Sequence, residues 1–182
     1  MSERTESYVS LSTSVTSSDN ISINTLDEKL LKKICLLLEA LIKYNQTNKK
    51  NKSRTLFDLK RIPLISLYDY LYRIIKHTKI SNNTLIKALI YIDIIHQKNN
   101  FSITYYNIHK LLFVSIVFAA KYNSDIFLTK EIYAKIGGVS VKELEKLEKK
   151  YCLFINNEFY IEKKLFDRYC QNINNDIIFT EN

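Results

Sequence analysis

Leu111-Leu112-Phe113-Val114-Ser115-Ile116-Val117-Phe118-Ala119-Ala120 is the stretch on which the fold turns. Wound as a helix, it is apolar on every face. A helix of that kind in a protein folding in water is surrounded by other elements, because none of its faces gains from solvent. Ser115 interrupts the run, and the run is half of the roughly 20 residues that a membrane span requires. Thr104 and Asn107, upstream, are both residues that favour helix starts. The central helix is therefore expected to run from Thr104 or Asn107 to Lys121.

Outward from this centre the chain reads as a series of capped helices. Pro63 marks a non-helical approach, and Ser66-x-x-Asp69 opens a helix to about His77. Ser81 opens the next, to about His96, with Leu85, Ile86, Leu89, Ile90, Ile92 and Ile95 inward. Beyond the central helix, a short one begins near Thr129 and ends before Gly137-Gly138. Ser140-x-x-Glu143 has the form of a capping box and opens a helix to about Phe154. An amphipathic piece spans roughly Tyr160 to Cys170. At the other end, Thr25-x-x-Glu28 is a further capping box. Leu26, Leu30, Leu31, Ile34, Leu37, Leu38, Leu41 and Ile42 follow Thr25 as an apolar stripe opposite Lys29, Lys32, Lys33 and Lys43. That stripe packs on the domain's own core or in a partner's groove. The predicted fold is all-α: five helices with one of them central and buried, plus one extra helix at each end. The boundaries are a Ser/Thr-rich tail over 1–24, an N-terminal helix over 25–45, a Lys/Asn-rich linker over 46–55, the five-helix body over 56–161, and a C-terminal helix with a polar tail over 162–182.

Composition agrees. The 182 residues are 46% hydrophobic and 25% charged, which suits one domain with appendages. Two glycines, one proline and no tryptophan exclude an all-β or Rossmann-like architecture, whose turns consume Gly and Pro. Cys35, Cys152 and Cys170 form no Cys-x-x-Cys, which argues against a disulfide scaffold and a cysteine zinc site. No apolar segment follows Met1, so a secretory signal is not expected, and the compartment is read as intracellular and reducing. The net charge of +8, from 27 basic and 19 acidic residues, suits nucleic acid, an anionic membrane or an acidic protein. Lysine supplies most of it, however, and arginine, the better reader of phosphates and bases, is scarce. Lys, Ile and Asn also share A/T-rich codons, which gives the basicity a genomic explanation.

Catalytic constellations are absent from the sequence. His77, His96 and His109 form no metal-ligand pair, Gly137-Gly138 lacks the Lys-Ser/Thr of a phosphate loop, and no Gly-x-Ser-x-Gly elbow occurs. No Arg-rich helix face suggests DNA reading. The residues alone describe an α-helical interaction domain, not an enzyme, with no cofactor and no membrane partner.

Several blocks add a resemblance. Ala119-Ala120-Lys121-Tyr122, then Tyr133-Ala134-Lys135-Ile136-Gly137-Gly138-Val139-Ser140, then Lys142-Glu143-Leu144-x-x-Leu147-Glu148 are similar to a cyclin box. The similarity is to the P/U-type cyclins, the branch associated in fungi with phosphate signalling. Arg61-Ile62-Pro63-x-Ile65-Ser66-Leu67-x-Asp69-Tyr70-Leu71-x-Arg73-Ile74 resembles the start of that family's first box helix. Tyr91-Ile92-Asp93 resembles the second, and Ile108-His109-x-Leu111-Leu112 the third. The resemblance spans about residues 26 to 161, with a single cyclin box over 56–161.

The resemblance implies a regulatory subunit that binds and activates a cyclin-dependent protein kinase as a heterodimer, in nucleus and cytoplasm. It implies that Lys121 and Glu148 grip the backbone around the kinase C-helix, with Tyr122, Asp125, Lys149, Cys152 and Phe154 completing the partner-binding set. An ammonium donates and a carboxylate accepts, so the pair can satisfy a partner's backbone. Taken singly, each is a solvated charge at a helix end. Three departures stand out. Ile94 occupies the place of an arginine. Asn156 and Asn157 replace Asp-Phe and remove an aromatic kinase contact, for which Phe154 or Phe159 are candidate substitutes. No Met-Arg-Ala-Ile-Leu patch lies near Pro63 to Leu67, so Arg-x-Leu docking is not expected. The alternative readings are a cyclin-fold nucleic-acid or transcription-assembly factor, and a scaffold that binds a kinase without activating it.

Overall fold

The computed structural model of the chain describes residues 28–47, 54–123 and 128–175. The Ser/Thr-rich tail, Thr25 of the first capping box, most of the Lys/Asn-rich linker, Asp125 and the final polar residues lie outside this set. Seven helices follow in order: α1 (Glu28–Thr47), α2 (Leu67–Thr78), α3 (Asn82–Lys98), α4 (Ile108–Asn123), α5 (Lys130–Gly137), α6 (Val141–Ile155) and α7 (Lys163–Asn174). There is no strand among the described residues.

Helix α4 is the centre, in contact with α2, α3, α5 and α6. Every residue from Leu111 to Ala120 is buried. Each fully buried large aliphatic side chain contributes about 1.5–3 kcal/mol, so this helix anchors the domain. The one hydroxyl in the run is satisfied twice. Ser115 Oγ donates to Leu111 O at 2.8 Å and accepts from Tyr151 Oη at 2.7 Å. An unpaired hydroxyl at that depth costs about 1–3 kcal/mol, and Ser115 supplies the acceptor that the fully buried Tyr151 hydroxyl needs.

The caps form largely where the sequence places them. Ser66, Ser81, Thr129 and Ser140 each accept from the backbone N–H three residues on. The Ser140–Glu143 box is only half made. Glu143 turns away to pair with Lys110 of α4 at 2.8 Å, a tertiary contact that competes with the local one. The two glycines have different tasks. A Cβ on Gly137 would sit 2.4 Å from the Phe113 ring, so this position lets α5 lie against α4. Gly138 takes φ 72° and ends α5, a conformation that side chains with a Cβ resist.

Helix ends differ from expectation where tertiary contacts decide them. The central helix begins at Ile108, after a turn in which Asn107 Oδ1 accepts from Thr104 N. Asn107 Nδ2 also donates to Ser102 O and Asp58 Oδ1, tying the segment before α2 to the α3–α4 loop. Helix α7 starts at Lys163 rather than Tyr160 and extends past Cys170 to Asn174, where Ile173 is buried. Tyr91 Oη donates to Phe159 O at 2.7 Å and holds the chain extended just before it. Asp93 then anchors α7 by accepting from the Tyr169 hydroxyl.

Candidate partner-binding site

Lys121 lies in the last turn of α4 and Glu148 in the middle of α6. The fold brings them together, with Nζ 2.6 Å from Oε1. The carboxylate side chain is 13% exposed and the lysine 30%. Glu148 is the one hydrogen-bond acceptor of Lys121 among the described residues. The ammonium also sits 5.9 Å from the centre of the Phe118 ring. No described residue accepts from its two remaining N–H groups, and the side chain is partly open to solvent.

Two further charges continue the row. Lys130, at the start of α5, is 3.9 Å from Glu148 Oε2 and 3.1 Å from Glu145 Oε1. The hydrogen bond to Glu145 and the nearby carboxylates raise the Lys130 pKa above its ordinary value. Cys152, one turn beyond Glu148, is half-buried. Burial raises its thiol pKa and Glu148 adds to the shift, while Lys121 opposes it, so the group remains a thiol at neutral pH.

Tyr122 is exposed, and its ring rests on Phe159 at 4.3 Å. Phe159 stacks on Phe118 at 4.8 Å, and Phe118 on Tyr151 at 4.9 Å. A column of parallel rings thus runs from the core to the surface beside Lys121. Lys149 is exposed on the solvent side of α6.

Phe154 is not brought to this site. It lies six residues beyond Glu148, about 240° round the helix. There it packs on Phe57 at 5.7 Å and Phe101 at 5.4 Å, under the Lys150 ammonium. Asp125 is outside the described residues. Asn156 and Asn157 end α6, with φ 56° and 57°. The Asn157 N–H donates to Cys152 O at 2.9 Å, closing the last turn. Asn is among the few residues that adopt this left-handed conformation readily, so the Asn-Asn pair is a helix stop. Phe159 is spent in the ring column and buried. Beside the end of α6, Leu153 is 70% exposed and Tyr160 85% exposed.

Sequence reasoning did not single out Leu153 and Tyr160 as exposed, or Lys130 as a neighbour of Glu148. Leu153 was findable, since it lies on the far side of α6 from the Leu144, Leu147, Tyr151 and Ile155 stripe. Lys130 left no local signal, because its partners are 15 and 18 residues away.

The arrangement offers ammonium donors, a carboxylate acceptor and an exposed aromatic ring side by side at the surface. That set suits the backbone of another chain better than it suits bond making. Among the described residues no group of three His, Cys, Asp or Glu is placed to hold a metal ion, and no helix is long and apolar enough to cross a membrane.

Comparison with known proteins agrees. A family model described as Cyclin matches residues 2–159. The chain is 31% identical over 125 residues to Cyclin-U2-2 of Arabidopsis thaliana, covering 68% of this chain and 54% of that protein. It is 31% identical over 169 residues to Cyclin-P3-1 of Oryza sativa subsp. japonica, covering 91% of this chain and 71% of that one. It is 34% identical over 157 residues to the PHO85 cyclin-like protein psl1 of Schizosaccharomyces pombe, covering 77% and 63%. The chain thus spans about half the length of the first of these relatives and less than two thirds of the third. With its all-helical box, its buried central helix and these matches, the chain belongs to the cyclin family, in the P/U-type branch.

Proposed function

We propose that this chain is the regulatory subunit of a cyclin-dependent protein kinase, binding it as a heterodimer and activating it by holding its C-helix in the active position. The observation that carries the reading is the Lys121–Glu148 pair, joined across 27 residues at the surface of a cyclin box. In a kinase, the inward C-helix places the Lys–Glu ion pair that positions the ATP phosphates. A lysine with spare donors and a carboxylate acceptor can hold the backbone at the end of that helix. Tyr122, on its ring column, supplies a flat apolar contact beside them, with Cys152 and Lys149 at the edge. Catalysis belongs to the kinase.

The test expresses the full chain with each cyclin-dependent kinase of its source organism in turn. Co-purification and phosphorylation of a generic Ser/Thr peptide are then measured. One kinase is expected to bind and to gain activity only with the chain present. Binding without gained activity would make the chain a scaffold. The net charge of +8 supports a second reading, in which the partner is nucleic acid. It predicts no kinase binding and an affinity for RNA or DNA that falls by orders of magnitude between about 50 and 200 mM salt.

A further inference from the structure

We propose that Lys130 is a third charged member of the partner-binding site: a positioning residue that aims Glu148 at the partner and keeps its charge compensated when Lys121 turns from Glu148 to the partner's carbonyls. The inference rests on the reading of Lys121 and Glu148 as the kinase-gripping pair.

In the free chain Lys121 and Glu148 satisfy each other at 2.6 Å. A partner's carbonyls can share the Lys121 ammonium with Glu148 or draw it away from Glu148 altogether. Lys121 is the more exposed and the more able to move. Glu148 is largely covered, and a covered carboxylate that loses its cation is costly. Lys130 is the cation within reach on its other side. It stands 3.9 Å from Oε2, against 2.7–2.9 Å for a charge-assisted hydrogen bond, so a shift of about 1 Å completes the contact. Its present bond, to Glu145, is to a carboxylate 46% exposed, where solvent readily takes over the pairing. Lys130 can therefore leave Glu145 at little cost when Glu148 needs it.

The placement of this lysine runs against local preference. Lys130 is the first residue of α5, where the helix dipole favours an anion. Glu131 beside it meets that preference, and Glu131 is held ionised by hydrogen bonds to its own backbone and the Thr129 side chain. A cation at such a position is offset by contacts elsewhere, and residues that break a local rule concentrate at functional sites. The contacts in question are those to Glu145 and Glu148 on α6. Lys130 thus links three helices at one point: α5 by its backbone, α6 by its ion pairs, and α4 through the carboxylate it shares with Lys121.

The test uses the full chain and the kinase it activates. It measures the dissociation constant and the activity of the complex for wild type, Lys130→Met, Lys130→Arg, Glu145→Gln, Glu148→Gln and the Lys130→Met/Glu148→Gln double variant. Lys130→Met is expected to weaken binding about tenfold, and Lys130→Arg to restore it to within about threefold. Glu145→Gln is expected to bind as wild type or more tightly, because it releases Lys130 to Glu148. The double variant is expected to bind no more weakly than Glu148→Gln alone, since Lys130 acts through that carboxylate. Melting curves of the free variants separate these effects from folding. Wild-type binding by Lys130→Met, failed rescue by arginine, additivity in the double variant, or a loss in Glu145→Gln equal to that of Lys130→Met would each overturn the role of Lys130 while leaving the kinase reading in place. If the unaltered chain binds no kinase, both fall.

Discussion

Two ion pairs join α4 to α6, one near each end of α4, and they are built in opposite senses. At the start of the helix, Lys110 and Glu143 meet at 2.8 Å with the cation covered, 14% exposed, and the carboxylate 40% exposed. At the end, Lys121 and Glu148 meet at 2.6 Å with the carboxylate covered and the cation the freer member. Lys110 also reaches Leu56 O, at 3.5 Å, so two of its three donors point to groups within the molecule. Lys121 has no second hydrogen-bond acceptor among the described residues. The first pair closes a seam and the second presents a handle. Helix contact and ion-pair distance do not distinguish them. The direction in which each long side chain is covered does.

The largest effect expected from that contrast is on binding. Lys121→Ala should cost about 2–5 kcal/mol of kinase affinity, because it leaves the partner's carbonyls without their donor and removes the nearer of the two cations beside Glu148, while Lys110→Ala should change affinity by less than a factor of three. Titration calorimetry on both variants checks this. Equal losses would mean that the two pairs have the same role.

A second effect, on stability, falls on both pairs together. The pairs share the register that α5 imposes between α4 and α6, and Gly137 lets α5 reach the Phe113 ring. Gly137→Ala forces an overpacked contact and is expected to lower stability by about 1–3 kcal/mol in urea unfolding. A neutral result would show that α5 does not set that register.

A smaller effect should separate the two pairs in the free chain. Glu143→Gln leaves Lys110 covered and unpaired, whereas Glu148→Gln leaves Lys121 half in solvent. The first should lower the melting temperature more than the second, by a few degrees at most. The reverse order would place the structural pair at the end of α4.

The smallest concerns pH and belongs to the start of α4 alone. His109 is buried against the Tyr70 ring and its Nε2 faces Ile65 O, and burial lowers its pKa below the ordinary 6.5. The unfolded chain therefore binds the proton first as pH falls through 6.5. Stability from keeping this ring neutral is present above that value and is lost below it. Melting temperature should decline between about pH 7 and 5, and His109→Gln should flatten the decline. An unchanged slope would exonerate the histidine.

How much of this was legible beforehand varies by element. The run from Leu111 to Ala120 was enough to place a surrounded helix, and the serine and threonine caps marked where α2, α3, α5 and α6 begin. Those signals are local, because a cap or a stripe is settled by residues a turn or two apart. The start of α7 was not legible, because Tyr91, 68 residues earlier, holds Phe159 out of the helix. Glu143 looked like half of a capping box and was drawn instead to Lys110. At the site, Lys121 and Glu148 came from resemblance, since nothing local marks either. Phe154 could be assigned to α6 but not to a flank, because its partners Phe57 and Phe101 come from segments with no periodic pattern. Asn156-Asn157 looked like the loss of a contact, while their backbone angles make them the gain of a stop.

The ring column that ends at Tyr122 has an optical consequence. The chain contains 13 tyrosines and no tryptophan. Excited at the red edge, beyond tyrosine absorption, it is dark, and any emission from a complex belongs to the other chain. Excited where tyrosine absorbs, Tyr122 at the surface end stands nearest to a tryptophan that docks beside Lys121 and can pass its energy to it. Loss of tyrosine emission and gain of tryptophan emission on mixing thus signal the partner's arrival, with no label attached.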